Sequence, residues 1–177
     1  MEIQRAPEAT YRAFINFEEK AAGIYLRLAS RFASENPGLS GFWLEMAMEE
    51  KQHSVLLQFC AAENWFAPAL PDESEIRKYS AKFREFEKRA VNPSLTKDEA
   101  FAMAAELEGS EVNAIYCHLT TPLHVSRYLA KKKLATAPFD HAGHLAAAAR
   151  RFKVSAETIR KMDRLKDSCL TAWRNSA

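Results

Sequence analysis

Residues 49–53 read Glu49-Glu50-Lys51-Gln52-His53, and they interrupt a helical stripe. The stripe runs through Trp43, Met46, Ala47, Glu50, His53, Ser54, Leu57, Cys60 and Ala61, a 3.6-residue period that marks one face of an α-helix. An acid and an imidazole therefore stand where leucines are expected. Three residues apart, Glu50 and His53 leave the same face about a turn from each other, so both can grip one ion.

The same interruption recurs in three more stripes. The first, over roughly residues 7–34, passes through Tyr11, Phe14, Glu18, Ala21, Ala22, Tyr25, Leu28 and Phe32, opens at Pro7 and stops before Asn36-Pro37-Gly38. The Glu50 helix is expected from near Ser40 to about Asn64. A third helix starts at the capping box Thr96 to Glu99 and carries Phe101, Ala104, Glu108, Glu111, Val112, Ile115 and Leu119 up to Thr121-Pro122. The fourth, from about Leu123 to Phe152 with a bend or break at Pro138, reads Leu134, Ala137, His141, His144, Leu145, Ala148 and Phe152. Between the second and third, Asp72 and Glu75 have capping-box spacing, and a mostly charged short helix through Lys88 is expected to be a solvated connector. A terminal amphipathic helix spans about 155–173. The fold class is all-α: a four-helix core over about 7–152 with an extra C-terminal helix, in a single domain of residues 1–177.

Buried carboxylates cost several kcal/mol unless compensated, so repeated acids at core positions require a partner. No lysine or arginine interrupts these stretches of stripe. Glu18, Glu50, Glu108 and Glu111 carry four negative charges, which two divalent cations neutralise, with His53 and one or both of His141 and His144 adding nitrogen donors. Glu18 to Glu50 is 32 residues and Glu108 to His141 is 33, so each half sets its groups at a similar depth. Tyr25 and Tyr116 lie two turns beyond Glu18 and Glu108 and are candidates to line the site; as aromatics they also suit a plain core.

Composition agrees. The 177 residues are 47% apolar with only five glycines, which suits helices. Lysines and arginines number 25 against 23 acids, so no net field points to nucleic acid or an anionic membrane. No run of about 18 apolar residues and no secretory leader pattern is present, so neither membrane spanning nor secretion is expected. Cys60, Cys117 and Cys169 form no Cys-x-x-Cys pair, which fits a reduced cytoplasm. Cys60 and Cys117 suit small core positions, and Lys131-Lys132-Lys133 suits solvated surface.

Three stretches carry a family resemblance: Phe17-Glu18-Glu19-Lys20-Ala21-Ala22-Gly23-Ile24-Tyr25, Glu49-Glu50-Lys51-Gln52-His53, and Glu106-Leu107-Glu108-Gly109-Ser110-Glu111-Val112-Asn113-Ala114-Ile115-Tyr116. Over roughly residues 10–152 the chain resembles the di-iron domain of rubrerythrins in the ferritin-like superfamily. The resemblance implies a ferritin-like four-helix bundle with a long crossover between the second and third helices. It also implies Glu18, Glu50 with His53, and Glu108 as ligands, with Glu111 similar to the extra carboxylate of rubrerythrins. The implied cofactor is a pair of irons, with manganese or zinc as alternatives. The implied activity is reduction of hydrogen peroxide or dioxygen, with Tyr25 and Tyr116 donating hydrogen bonds or protons.

The resemblance breaks at two points. Where the family has a second Glu-x-x-His, this chain has His141-Ala142-Gly143-His144, and Asp140 points about 100° from His141 on a regular helix. The rubredoxin module of many rubrerythrins is missing, so electrons are expected from a separate donor such as a rubredoxin-like protein. A homodimer is the expected assembly, with no nucleic acid and no membrane as partners. A non-catalytic metal-binding or iron-storage protein, and a metal-free bundle serving as an interaction module, are the alternatives.

Overall fold

The computed structural model describes residues 5–67, 70–110 and 141–176, and among these every regular element is helical. Helix α1 (Arg5–Phe32) has Pro7 in its first turn and buries Tyr11, Phe14, Phe17, Ala21, Ile24, Tyr25, Leu28 and Phe32. Helix α2 spans Pro37–Ala62 and begins three residues before the expected Ser40. The Asn36 side chain accepts from Leu39 N at 3.0 Å, and Pro37 takes the first position, where its missing N–H costs nothing. Asn36-Pro37-Gly38 is thus a cap as well as a stop. Asn64, in the left-handed region at φ 56°, ends α2, and Trp65 N returns to Cys60 O at 2.9 Å.

Helix α3 (Glu73–Ala90) starts at the Asp72–Glu75 capping box. It is more than a solvated connector. Tyr79, Phe83 and Phe86, spaced four and three, form a buried face, and Phe83 stacks on Phe17 of α1 with centroids 5.1 Å apart. Charges on the opposite face had dominated the composition of this segment. Helix α4 (Lys97–Glu108) starts at the Thr96–Glu99 box and is capped by Gly109, so Glu108 is its last residue rather than the middle of a longer helix. Helix α5 covers residues 141–151 and α6 is Ala156–Ser176. The expected course through Val112, Ile115, Cys117 and Leu119, and the bend at Pro138, lie outside the described residues.

Cross-helix contacts give the directions. Ser40 Oγ donates to Ala29 O, Ser54 Oγ to Glu19 Oε1 and the Tyr11 hydroxyl to Trp65 O, so α1 and α2 run antiparallel. Phe14–Tyr79 and Lys20–Glu87 set α3 parallel to α1. Phe42 of α2 packs on Phe101 of α4 and Phe152 just past α5, while Glu108 meets His141, so α5 runs antiparallel to α4. Lys161 reaches Glu106 from α6. One apolar core, centred on Trp43, Tyr25, Phe42 and Phe101, fills the space between these helices. None of the described helices is long and apolar enough to cross a membrane.

Candidate metal centre

Helical periodicity that buries Phe14 and Ala21 also buries Glu18 between them. The same holds for Glu50, set among Met46, Ala47 and Leu57, and for Glu108 beside Leu107 and Ala104. The residue exposures are 4% for Glu18, 4% for Glu50, 3% for Glu108 and 3% for His141. Four helices therefore deliver a charged or titratable group to one dry spot.

The groups touch. His53 Nδ1 lies 3.2 Å from Glu50 Oε2 and 3.5 Å from Glu18 Oε2. His141 Nδ1 lies 3.3 Å from Glu50 Oε1 and 3.2 Å from Glu108 Oε2, so Glu50 joins the two imidazoles, whose ring centroids are 4.8 Å apart. One ligand atom each from Glu50, His53 and His141 falls within 4.8 Å of the others, a spread that one ion can bridge. Beside Glu18, Glu50 and Glu108 sits a cavity of about 10 Å³, closed further by Phe17, Phe83 and Ser110. That is about the room one water molecule occupies.

Electrostatics follow from this crowding. Burial, reinforced by the Glu50 charge, pushes the Glu18 carboxyl up to about 8 even though His53 favours its ionised form. Burial opposes a charge on Glu50 too, but His141 and His53 together hold its carboxyl well below the usual range. For His53 burial disfavours the proton, and the carboxylates of Glu18 and Glu50 outweigh it and raise the imidazole to about 9. His141 is raised well above the ordinary histidine value, because Glu108, Glu50 and Glu49 overcome its burial. Tyr25 is pushed well above 10 by burial and then by the charges of Glu108 and Glu50, so its hydroxyl keeps its proton and donates to Glu108 Oε1 at 2.5 Å. Without a metal, protons on His53, His141 and Glu18 balance the site.

No protein-family model, no curated protein and no solved structure matches the chain. Its chemistry is therefore read from the donors themselves. Carboxylates and imidazoles are both ordinary ligands of divalent metal ions. A buried Glu/His group of this kind can hold a metal ion. His141 Nε2 adds to the fit: it approaches Glu49 Oε2 to 3.0 Å, yet neither atom has an aligned hydrogen-bond partner. With Nδ1 given to a bound ion, Nε2–H would remain for Glu49, the carboxylate–histidine–metal arrangement.

Of the residues singled out in the sequence, Glu18, Glu50, His53, Glu108 and His141 are brought together, and Tyr25 abuts them. His144 is not in that group. Its side chain is 54% exposed, and its Nδ1 lies 3.3 Å from Glu49 Oε1, since three residues along α5 carry it past the core edge. Glu111, Tyr116 and Asp140 lie outside the described residues. Glu49 was missed because it sits about 100° off the buried stripe of α2. The adjacent acid in the pair Glu49-Glu50 was its only signal, and only the packing of α5 gives it two histidine neighbours.

Proposed function

We propose that this chain is a di-iron carboxylate protein of the ferritin-like, rubrerythrin type. It reduces hydrogen peroxide or dioxygen with electrons from an external donor. The carrying observation is the convergence of three buried carboxylates and two imidazoles from α1, α2, α4 and α5. The ferritin-like reading of the fold is supported by two antiparallel pairs, α1 with α2 and α4 with α5, joined across α3.

The irons would supply the redox chemistry and Lewis acidity. Glu50 and His53 would hold the ions from one turn of α2, with Glu18 of α1 and Glu108 of α4, which line the same cavity, and His141 of α5 as the further donors. Three carboxylates leave one charge of two divalent ions uncompensated, and Glu111 is the sequence candidate to supply it. Phe17, Phe83 and Leu107 exclude bulk water from the small cavity. Tyr25 holds a proton against Glu108 and can pass it toward that cavity.

A second reading is a non-catalytic site for a single ion such as zinc, favoured by His141 standing where a second carboxylate would complete a binuclear set. Element-resolved metal analysis of protein from iron-supplied cells, paired with peroxide turnover, separates them. Two irons per chain, with turnover lost in Glu50→Ala and His53→Ala at unchanged helical content, is the expected result. One zinc per chain selects the second reading. Failure to bind iron, zinc or manganese rejects both and leaves a metal-free bundle.

A further inference from the structure

Glu49 follows the buried stripe of α2 by about 100° of rotation, which brings it to the edge of the core where α5 packs. Among the described residues its ion-pair partners are both histidines, while the nearby Lys51 is drawn away to Glu19 of α1. Its two oxygens are divided between two imidazoles. Oε1 lies 3.3 Å from Nδ1 of His144, and Oε2 lies 3.0 Å from Nε2 of His141. Both Glu49 Oε2 and His141 Nε2 are buried without an aligned hydrogen-bond partner, so a nitrogen on a ring that is 3% exposed is aimed at this carboxylate and left unused.

Exposure falls in steps along the series, from 54% for the His144 side chain to 30% for Glu49 and 3% for His141. The other nitrogen of His141 then reaches Glu50 and Glu108. Ligand atoms thus run without a gap from an exposed side chain to the buried centre. Two donors each about 2.1 Å from one ion, at tetrahedral or octahedral angles, stand about 3.0–3.4 Å apart. The steps of 3.3, 3.0 and 3.2 Å fall in that interval, so neighbouring donors can share an ion after small side-chain movements. A hydrogen bond spans a similar distance but needs an aligned N–H, which the Glu49–His141 contact lacks. Glu45, exposed one turn before Glu49 on α2, adds negative charge at the outer end.

We infer that Glu49 and His144 form an outer receiving site for divalent metal ions, from which they pass by way of His141 into the buried centre. The inference rests on the reading of the core as a metal centre and adds how that centre is filled. Glu49 and His144 replace waters bound to an arriving ion, and His141, which touches both sets of donors, is the boundary between them. No oxidation state changes. Once Nδ1 of His141 is given to the core, its Nε2–H is left for Glu49.

Rapid mixing of the metal-free full chain with cobalt(II), followed by visible absorption, tests it. A receiving site speeds entry and exit alike. His144→Ala is therefore expected to slow both loading and release into EDTA by about tenfold, with helical circular dichroism unchanged. Glu49→Gln is expected to load more slowly and also to bind more weakly, because it takes the partner from His141. His144→Cys keeps a metal ligand at that position and is expected to load within about twofold of the unaltered chain. An orienting role alone would instead speed release and leave loading as it was. That pattern in His144→Ala, loading at the unaltered rate, or a cysteine variant as slow as the alanine one overturns the inference while the metal centre stands. No cobalt uptake by the unaltered chain overturns both.

Discussion

The hydroxyl of Tyr25 on α1 lies 2.5 Å from Oε1 of Glu108, the last residue of α4, while His141 Nδ1 lies 3.2 Å from the other oxygen of the same carboxylate. Glu108 is thereby held from two sides by groups far from it in the chain. The Tyr25 ring is itself fixed by stacking on Trp43, with centroids 5.8 Å apart and planes 8° from parallel.

Removing that hydroxyl takes a hydrogen-bond donor away from a buried carboxylate oxygen. Tyr25→Phe is expected to lower the unfolding free energy by about 1–3 kcal/mol in urea titrations. It is expected to leave bound metal unchanged and to reduce peroxide turnover by a factor on the order of 10². Unchanged turnover would remove Tyr25 from the proposed chemistry while leaving its structural role intact.

The proton balance of the site predicts a pH dependence of opposite sign for stability and for metal binding. The folded metal-free protein holds protons on Glu18 up to about 8 and on His53 up to about 9, whereas the unfolded chain releases them near 4.5 and 6.5. Folded chains then bind more protons than unfolded ones, so stability falls as pH rises. The Glu18 contribution fades between pH 4.5 and 8, and that of His53 between 6.5 and 9. Glu50, whose carboxyl is held low, acts the other way, and its contribution is lost as pH falls below 4.5. Melting temperatures of metal-free protein should therefore drop from mildly acid pH to pH 9. Metal ions must displace the same protons, so their apparent affinity should rise over that interval, which competition titrations will measure. A metal-free melting temperature that climbs across this range contradicts the buried, protonated arrangement.

Helix α3 should behave as core on one face and surface on the other. Phe83, 2% exposed and stacked on Phe17, is expected to cost about 3 kcal/mol or more on replacement by Ala. Lys82→Ala, one residue away on the solvent side, is expected to change stability by no more than about 0.5 kcal/mol. Equal effects in chemical denaturation would mean that α3 does not pack on α1.

Local signals in the chain were read with most success where the physics is local. The Asp72–Glu75 and Thr96–Glu99 boxes begin α3 and α4 because a capping box satisfies backbone donors within four residues. Burial of Glu18, Glu50 and Glu108 followed from helical period alone. Reading failed where distant partners decide. Asn36-Pro37-Gly38 looked like a break, yet the Asn36 side chain makes it a helix start. The aromatic face of α3 was masked by its charges until Phe17 supplied a surface to bury it. His144 has the right spacing from His141 but faces outward to Glu49.

By itself, the order of residues determined that this protein is helical and that Glu18, Glu50 and Glu108 enter its interior, because both depend on a 3.6-residue rhythm confined to each segment. Only the tertiary structure decided which of those groups meet. Contacts such as His141 with Glu50, Tyr25 with Glu108 and Glu49 with two histidines depend on how α1, α2, α4 and α5 are rotated against one another. That rotation is set by the packing of Trp43, Phe42, Phe101 and Phe152 between the helices, which no single helix encodes.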